Sequence, residues 1–290
     1  MTPPLTYVEF LSAFLAVPIV ALAISVARRT DSPRRVLAGV TALVCIAVGY
    51  TAPWDSYLIG RGVWTYGEDV VAVRFARVPL GEWLFFALQT IGTGLWYHRL
   101  APRGESGIDP GLPGRDVPGE VRAGTARTAG AGVWLAIAAL GVVLVVASPR
   151  TYYFGMILAW AAPVVAFLWA VGGPVILRYR RRVLAGVAVP SAYLWVADWY
   201  AIGSGLWTIS PDSSTGILVA GLPIEEAVFF VATNLLVVQG LLLFDWVVAR
   251  SAERGPAYAV SGLLPDSVAD SVGSVAGRVP DVAEVRRRWQ

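Results

Sequence analysis

Seven stretches of this chain are apolar over lengths that can cross a bilayer: residues 5–27, 36–54, 79–98, 130–148, 152–176, 183–201 and 222–248. A helical span needs about 20 residues, so the runs at 36–54, 130–148 and 183–201 are near the lower limit. Charge agrees with this reading, since only 15% of the 290 residues are charged, against about a quarter in a soluble domain. Mean hydropathy is +0.62. In hydrocarbon the backbone must satisfy its own polar groups, and long apolar runs do so as helices. The expected fold class is an all-α integral membrane protein with seven transmembrane helices.

The basic residues give the orientation. All 23 are Arg, and 19 of them fall in alternate connections: Arg28, Arg29, Arg34 and Arg35 after the first run, Arg99 to Arg127 after the third, Arg178 to Arg182 after the fifth, and Arg250 onward after the seventh. Only Arg61, Arg74, Arg77 and Arg150 lie on the other side. Positive loops stay in the cytoplasm, so the N-terminus is expected outside and the C-terminus inside, in the cell membrane. The pI of 9.2 then reflects this bias and attraction to anionic lipid; the bilayer is the implied partner, and nucleic acid is not. No basic residue precedes the apolar run of Met1 to Val26, which argues against a cleaved signal peptide. Cys45 and His98 each occur alone, so no disulfide or metal ligand set is expected. His98, at an Arg-flanked end of the third run, reads as a surface or interfacial residue.

The chain also repeats itself. Asp55-Ser56-Tyr57-Leu58-Ile59-Gly60-Arg61-Gly62-Val63-Trp64-Thr65 recurs 143 residues later as Asp198-Trp199-Tyr200-Ala201-Ile202-Gly203-Ser204-Gly205-Leu206-Trp207-Thr208. Beyond the loop the offset is 144, matching Pro79 with Pro223, Glu82 with Glu226, Phe85 with Phe229 and Phe86 with Phe230. The unit is three spans, 1–3 and 5–7. Two odd-numbered units joined directly would be inverted; the unmatched fourth span restores parallel orientation, giving repeats about an axis along the membrane normal. The expected divisions are a first three-helix unit at 1–99, a cytoplasmic linker rich in Gly, Pro and Arg at 100–129, a connecting helix at 130–148, a second unit at 149–250 and a cytoplasmic tail at 251–290. The tail is expected to end in a short interfacial helix.

Polar residues inside such spans are functional candidates by default. Glu82, Phe86, Gln89 and Thr93 share one helix face. Glu226, Phe230 and Thr233 repeat it, with Asn234 beside them. Each unit thus offers a carboxylate near one end, an aromatic below it, and amide or hydroxyl groups deeper. A lone Glu there could simply stabilise the positive start of a helix; two at matched positions point to chemistry. Glu225, whose counterpart is Gly81, is turned about 100° from Glu226 and is either its proton partner or faces headgroups. Asp55 and Asp198 end spans 2 and 6, with Trp64 and Trp207 nine places on. They are candidates for substrate binding, the alternative being a helix-end turn with interfacial anchors. The matched Gly60 and Gly203, and Gly62 and Gly205, suggest a turn that needs positive φ.

Acids, aromatics and an apolar interior suit acid-initiated carbocation chemistry. A buried Glu protonates an alkene and aromatic faces stabilise the cation by about 2 kcal/mol or more when desolvated. Burial and a second carboxylate favour the protonated Glu, whereas the helix start favours the ionised one, and the sequence leaves that balance open. No phosphate-binding loop is present, so no nucleotide cofactor is signalled, and none of another kind is expected.

The Pro-x-Glu-Glu-x-x-Phe-Phe stretch at 223–230, the glycine-spaced segment ending in Trp and Thr before it, and the duplicated three-span unit resemble the lycopene cyclase domain family over about 5–250. That resemblance implies conversion of the ψ ends of lycopene to β-rings without net redox change. It places Glu226, Glu225 and Glu82 as catalytic candidates, with Gly81 a departure from the family's acidic pair. Substrate contacts are expected from Asp55, Asp198, Trp64, Trp207, Phe86, Phe230, Gln89, Thr233 and Asn234. The implied partners are lycopene or a related carotenoid and other carotenoid enzymes. A cyclase for C50 or other carotenoids, a transporter with carboxylates near one face, and a structural membrane subunit are the alternatives. A retinal protein is excluded because the chain has no Lys for a Schiff base.

Overall fold

A computed structural model describes residues 4–102, 108–109 and 123–255. The helices are α1 (Tyr7–Ala27), α2 (Pro33–Gly60), α3 (Leu80–Arg99), α4 (Ala123–Ala147), α5 (Tyr152–Arg178), α6 (Arg180–Gly203) and α7 (Ile224–Arg254). Between α2 and α3 come the short strands β1 (Trp64–Tyr66), β2 (Arg74–Phe75) and β3 (Val78–Pro79). Between α6 and α7 come β4 (Trp207–Ile209), β5 (Leu218–Val219) and β6 (Leu222–Pro223). The chain is all-α in class, and among the described residues five helical stretches are long and apolar enough to cross a membrane: Tyr7–Ala27, Pro33–Gly60, Ala123–Ala147, Pro149–Arg178 and Ile224–Glu253. α3 and α6 are of similar length, but Gln89, Thr90 and Thr93 on one and Ser191 and Asp198 on the other are polar and buried. Facing the bundle costs these helices apolarity without exposing polar groups to lipid.

Local chemistry sets the elements. Thr6 caps α1 through a reciprocal pair with Glu9, which satisfies two orphan donors. Pro18 lacks an N–H for residue 14, and the helix loosens into a π turn at Ser12–Ala16 just before it. α5 kinks at Gly172 (φ −132°), two residues before Pro174. α4 lies against α5, where Gly141 and Gly155 let the two backbones touch. Its other face is open, with Val146 78% exposed.

α7 is the central element. Its apolar window is the most buried of the five at 61%, against 11% for α4. Two apolar clusters stack along it. One, at the end that carries the strands, includes Tyr7, Trp64, Phe86, Tyr153 and Phe230; the other includes Tyr97, Leu241 and Trp246. Between them Asn234 ties three helices together. It accepts from Gln89 Nε2 at 2.7 Å and Thr93 Oγ1 at 2.6 Å and donates to Ser191 Oγ at 3.0 Å.

Several boundaries differ from the sequence reading. α2 and α6 run past 54 and 201 to Gly60 and Gly203, so Asp55 and Asp198 lie inside helices and do not end them. Both carboxyls are buried within the bundle, so the helix continues through a charge that ends an apolar run. α4 begins at Ala123, which takes the end of the expected linker into a helix, and α7 continues to Arg254. Residues 103–107 and 110–122 of the linker, and the tail from 256 with its expected terminal helix, lie outside the described residues. His98 is not a surface residue. Its side chain is 8% exposed, with Nδ1 3.9 Å from Asp245, which Arg35 pairs at 3.0 Å.

Candidate active site

Each Glu-bearing helix is launched by a tight hairpin. β2 and β3 pair through a turn at Ala76 and Arg77 (φ 49° and 71°), and β5 and β6 through Ala220 and Gly221 (φ 51° and 86°). The hairpins deliver Pro79 and Pro223 to the caps of α3 and α7. Glu82 and Glu226 are each the third residue of their helix and point into the bundle, at 6% exposure for Glu226. After α2 and α6 the chain reverses through Gly62 and Gly205 (φ 71° and 76°). Val63 N–H bonds Leu58 C=O, and Leu206 N–H bonds Ala201 C=O, the Schellman pattern that a glycine in the left-handed region allows. Gly60 and Gly203, also expected to need positive φ, are instead the last helical residues. The reversal carries Trp64 and Trp207 back over their helix ends. There β1 and β4 pair antiparallel, Thr65 opposite Thr208.

These segments enclose a chamber of about 60 Å³. Asp55, Glu82, Asp198 and Glu226 all line it, and among the described residues no Arg or His does. Glu226 Oε1 accepts from the Tyr153 hydroxyl at 2.8 Å. Glu82 Oε1 accepts from the Tyr66 hydroxyl at 2.9 Å, which in turn accepts from Trp64 Nε1 at 2.9 Å. Burial, then the neighbouring Glu82 and Asp55, push the Tyr66 phenol above its usual range, so it stays a donor. Trp207 Nε1 donates to Asp198 Oδ1 at 2.9 Å. Oδ2 of both Asp55 and Asp198 is buried with no hydrogen-bond partner among the described residues. An unpaired buried oxygen is costly, and both of these belong to residues that line the chamber. Trp54, Trp64, Trp207, Phe86, Phe229 and Phe230 supply the apolar walls. The arrangement therefore holds acids against aromatic faces, which is what proton transfer to an apolar molecule requires.

The structure brings together Glu82, Glu226, Asp55, Asp198, Trp64, Trp207, Phe86 and Phe230 from the sequence-derived candidates. Two of the others line the apolar grooves below the chamber: Gln89 both of them and Thr233 one. Asn234 and Glu225 line none of these cavities. Asn234 is fully buried as the helix tie described above. Glu225 is also fully buried, and neither faces headgroups nor opens onto the chamber; its Oε1 accepts from the Thr215 N–H and hydroxyl, both at 2.7 Å. It braces the β4–β5 connection. Gly81 has its own reason. A Cβ there would sit 2.3 Å from the Tyr7 ring, so only glycine lets Tyr7 pack on α3 and face Glu82.

Sequence reasoning missed Tyr7, Tyr153, Tyr66 and Trp54. A signal existed for the first two. Tyr7 and Tyr153 stand 146 residues apart, at like positions in α1 and α5, and each faces the Glu of its own half.

Two apolar grooves adjoin the chamber. One, of about 350 Å³, lies among α1, α3 and α6 and shares Leu15 and Leu194 with it. The other, of about 480 Å³, lies among α2, α3, α5 and α7 and shares Phe85, Phe86 and Phe229.

Comparison with known proteins gives a consistent picture. The lycopene cyclase family model matches residues 5–100 and 149–244. A lycopene beta-cyclase of Halobacterium salinarum is 44% identical over 245 residues, covering 84% of this chain and 98% of that protein. Bifunctional lycopene cyclase/phytoene synthases are more distant. The one from Phaeosphaeria nodorum is 38% identical over 211 residues, and the one from Aspergillus niger 33% over 209, each match covering 35% of the fungal chain. No solved structure matches.

Proposed function

The chain belongs to the lycopene cyclase family, and from that premise we propose that it is a membrane lycopene β-cyclase, closing the ψ ends of lycopene into β-rings. The observation that carries the proposal is the meeting of four carboxyl groups, two from each half, in one aromatic-walled chamber whose lining, among the described residues, holds no cation. Glu226 delivers a proton to the terminal double bond, at the carbon next to the dimethyl-bearing one. The tertiary cation so formed is attacked by the next alkene, and a carbon–carbon bond closes the ring. Loss of a proton from the ring carbon restores the alkene, with Glu82 across the same chamber as its acceptor. One proton enters and one leaves, so the reaction is an isomerisation. Trp54, Trp64, Trp207 and the Phe pairs face the cationic species, where desolvated aromatic faces are worth about 2 kcal/mol or more.

The same reading takes all seven long helices as spans and the two halves as parallel repeats, 1–99 and 149–250, joined by α4. Support comes from the β1–β4 ribbon, in which the equivalent residues Thr65 and Thr208 pair about a local two-fold. Further support is a duplicated detail. The Tyr50 hydroxyl donates to the Trp160 carbonyl, and its equivalent Tyr193 donates to the Phe14 carbonyl. The two segments matched by the family coincide with these units. The Arg distribution sets the strand-bearing end, and the chamber, on the outer side. Expression in a lycopene-accumulating host tests the function: cyclic carotenoid should replace lycopene, and unchanged lycopene alongside inserted protein overturns it.

A further inference from the structure

We infer that the groove among α2, α3, α5 and α7 is the channel for the polyene chain, and that Trp54, Trp160 and Phe229 form the stacked threshold over which its reactive end enters the chamber. The inference rests on the cyclase reading and adds to it a binding path and its selecting residues. A chamber of about 60 Å³ encloses no more than a chain end, so the rest of a long hydrocarbon needs an apolar continuation. The repeat supplies two. Allowing for the offsets, Tyr193 and Pro190 of the α1–α3–α6 groove correspond to Tyr50 and Ala47 of the other, and Gly92 and Trp96 to Leu236 and Gly240. The grooves are therefore two versions of one site, and the differences between them decide the occupant.

Length is the first difference. The α7 wall of the larger groove runs from Phe229 to Val247, roughly 27 Å at ~1.5 Å per residue. The matching α3 wall of the smaller one, Leu88 to Trp96, runs roughly 12 Å on the same rise. The second difference is the doorway. The smaller groove meets the chamber at two leucines, the larger at three phenylalanines. The third is the make-up of the aromatic ladder between groove and chamber. Tyr50 stacks on Trp160 at 5.5 Å, Trp160 on Trp54 at 4.8 Å, and Trp54 lies parallel to Phe229 at 6.0 Å and 3°. Trp54 then reaches Trp64 at 6.4 Å. In the other half the equivalent of Trp54 is Ala197, and the stack there has no indole between groove and chamber: Tyr200 lies on Phe14 at 5.1 Å and Phe14 on Phe10 at 4.9 Å, with Trp207 edge-on to Phe10 at 5.4 Å. The indole N–H groups of Trp54 and Trp160 are buried with no acceptor among the described residues. Trp54 lines the chamber and Trp160 the groove, so the two rings border space that a conjugated π-system would fill. The groove also opens where an apolar molecule would arrive. Ile46 on α2 and Phe167 on α5, both in its lining, are 61% and 64% exposed, so the polyene enters sideways from lipid.

The test blocks each groove separately. Val164→Trp, or Ala47→Trp from the opposite wall, fills the larger groove, and Ala21→Trp fills the smaller. Full-length variants are placed in lipid nanodiscs with lycopene, and the circular dichroism that a chiral groove induces in the bound polyene is read beside ring formation. Wild type and Ala21→Trp should keep the signal and the rate within about twofold, whereas either block of the larger groove should remove the signal and cut the rate at least tenfold. The inference is overturned if Ala21→Trp abolishes the signal, if both blocks of the larger groove retain it, or if wild type gives none and the groove holds only lipid. Should wild type bind with the expected pattern and form no ring, the cyclase reading fails while the channel assignment stands.

Discussion

Tyr153→Phe is the most discriminating change to make in the chamber. It removes the hydroxyl that donates to Glu226 at 2.8 Å and leaves the ring, which packs on Trp64 at 5.5 Å. When Glu226 gives up its proton, the carboxylate left behind is stabilised by that hydroxyl. A hydrogen bond to a charged group is worth about 1.5–3 kcal/mol. At ~1.36 kcal/mol per tenfold in rate, the loss corresponds to a reaction roughly 10- to 150-fold slower. The charge appears only as the proton leaves, so kcat and kcat/KM should fall together, with KM little changed. Initial rates of ring formation in proteoliposomes, normalised to inserted protein, provide the measurement. A rate within twofold of wild type, or a raised KM at constant kcat, refutes the reasoning: the bond would then serve packing or uptake and not proton transfer.

The remaining predictions share that assay or the same host. Glu226→Gln should abolish cyclic product while the protein still inserts, with Glu82→Gln severe as well; normal pigment from a well-expressed Glu226→Gln variant removes Glu226 as the acid. In deuterated water each ring formed should carry one deuterium at the carbon next to the dimethyl group, and product free of deuterium would falsify solvent-derived protonation. A reporter fused after Pro211 should be accessible from outside and one after Arg181 from inside; an inside signal at 211 removes the outer placement of the chamber.

What the sequence could reveal followed from how each residue acts. Glu82 and Glu226 stood out because a carboxyl beside an apolar run is conspicuous and the repeat doubled it. Trp64 and Trp207 stood out by the same doubling. The extent of α2 was underestimated at Asp55, because a window of apolar residues stops at a charge while a helix wall facing a polar chamber does not. Glu225 was unreadable for a different reason: its partner Thr215 is ten residues away, in a loop whose path is set by the β5–β6 hairpin. Tyr7 and Tyr153 hid behind a slip in register, since their offset of 146 differs from the 143 and 144 that define the repeat elsewhere. Gly81 looked like a lost acid. In the fold it is the space that Tyr7 occupies, which sets a phenol against Glu82 as Tyr153 is set against Glu226.

A shared chamber has a consequence for product order. Glu82 and Glu226 line the same small space, so on the proposed reading the two halves share one active site. Both ends of one substrate therefore cannot react at once. After the first ring closes, the molecule must withdraw and present its other end, and the ring is bulkier than the open chain that entered. The threshold of Trp54 and Phe229, 6.0 Å apart as parallel rings, is where that bulk has to pass. Under excess lycopene and brief reaction times, the one-ring product should build up first and the two-ring product should appear after a lag. Trp54→Ala, which gives this half the residue found at the equivalent Ala197, should widen the exit and release more one-ring product before the second closure. High-performance liquid chromatography of early time points decides the matter. Two-ring product that forms from the start, with no one-ring species in the free pool, would mean that the substrate turns without leaving, and that the chamber is larger in the working protein than its resting volume allows.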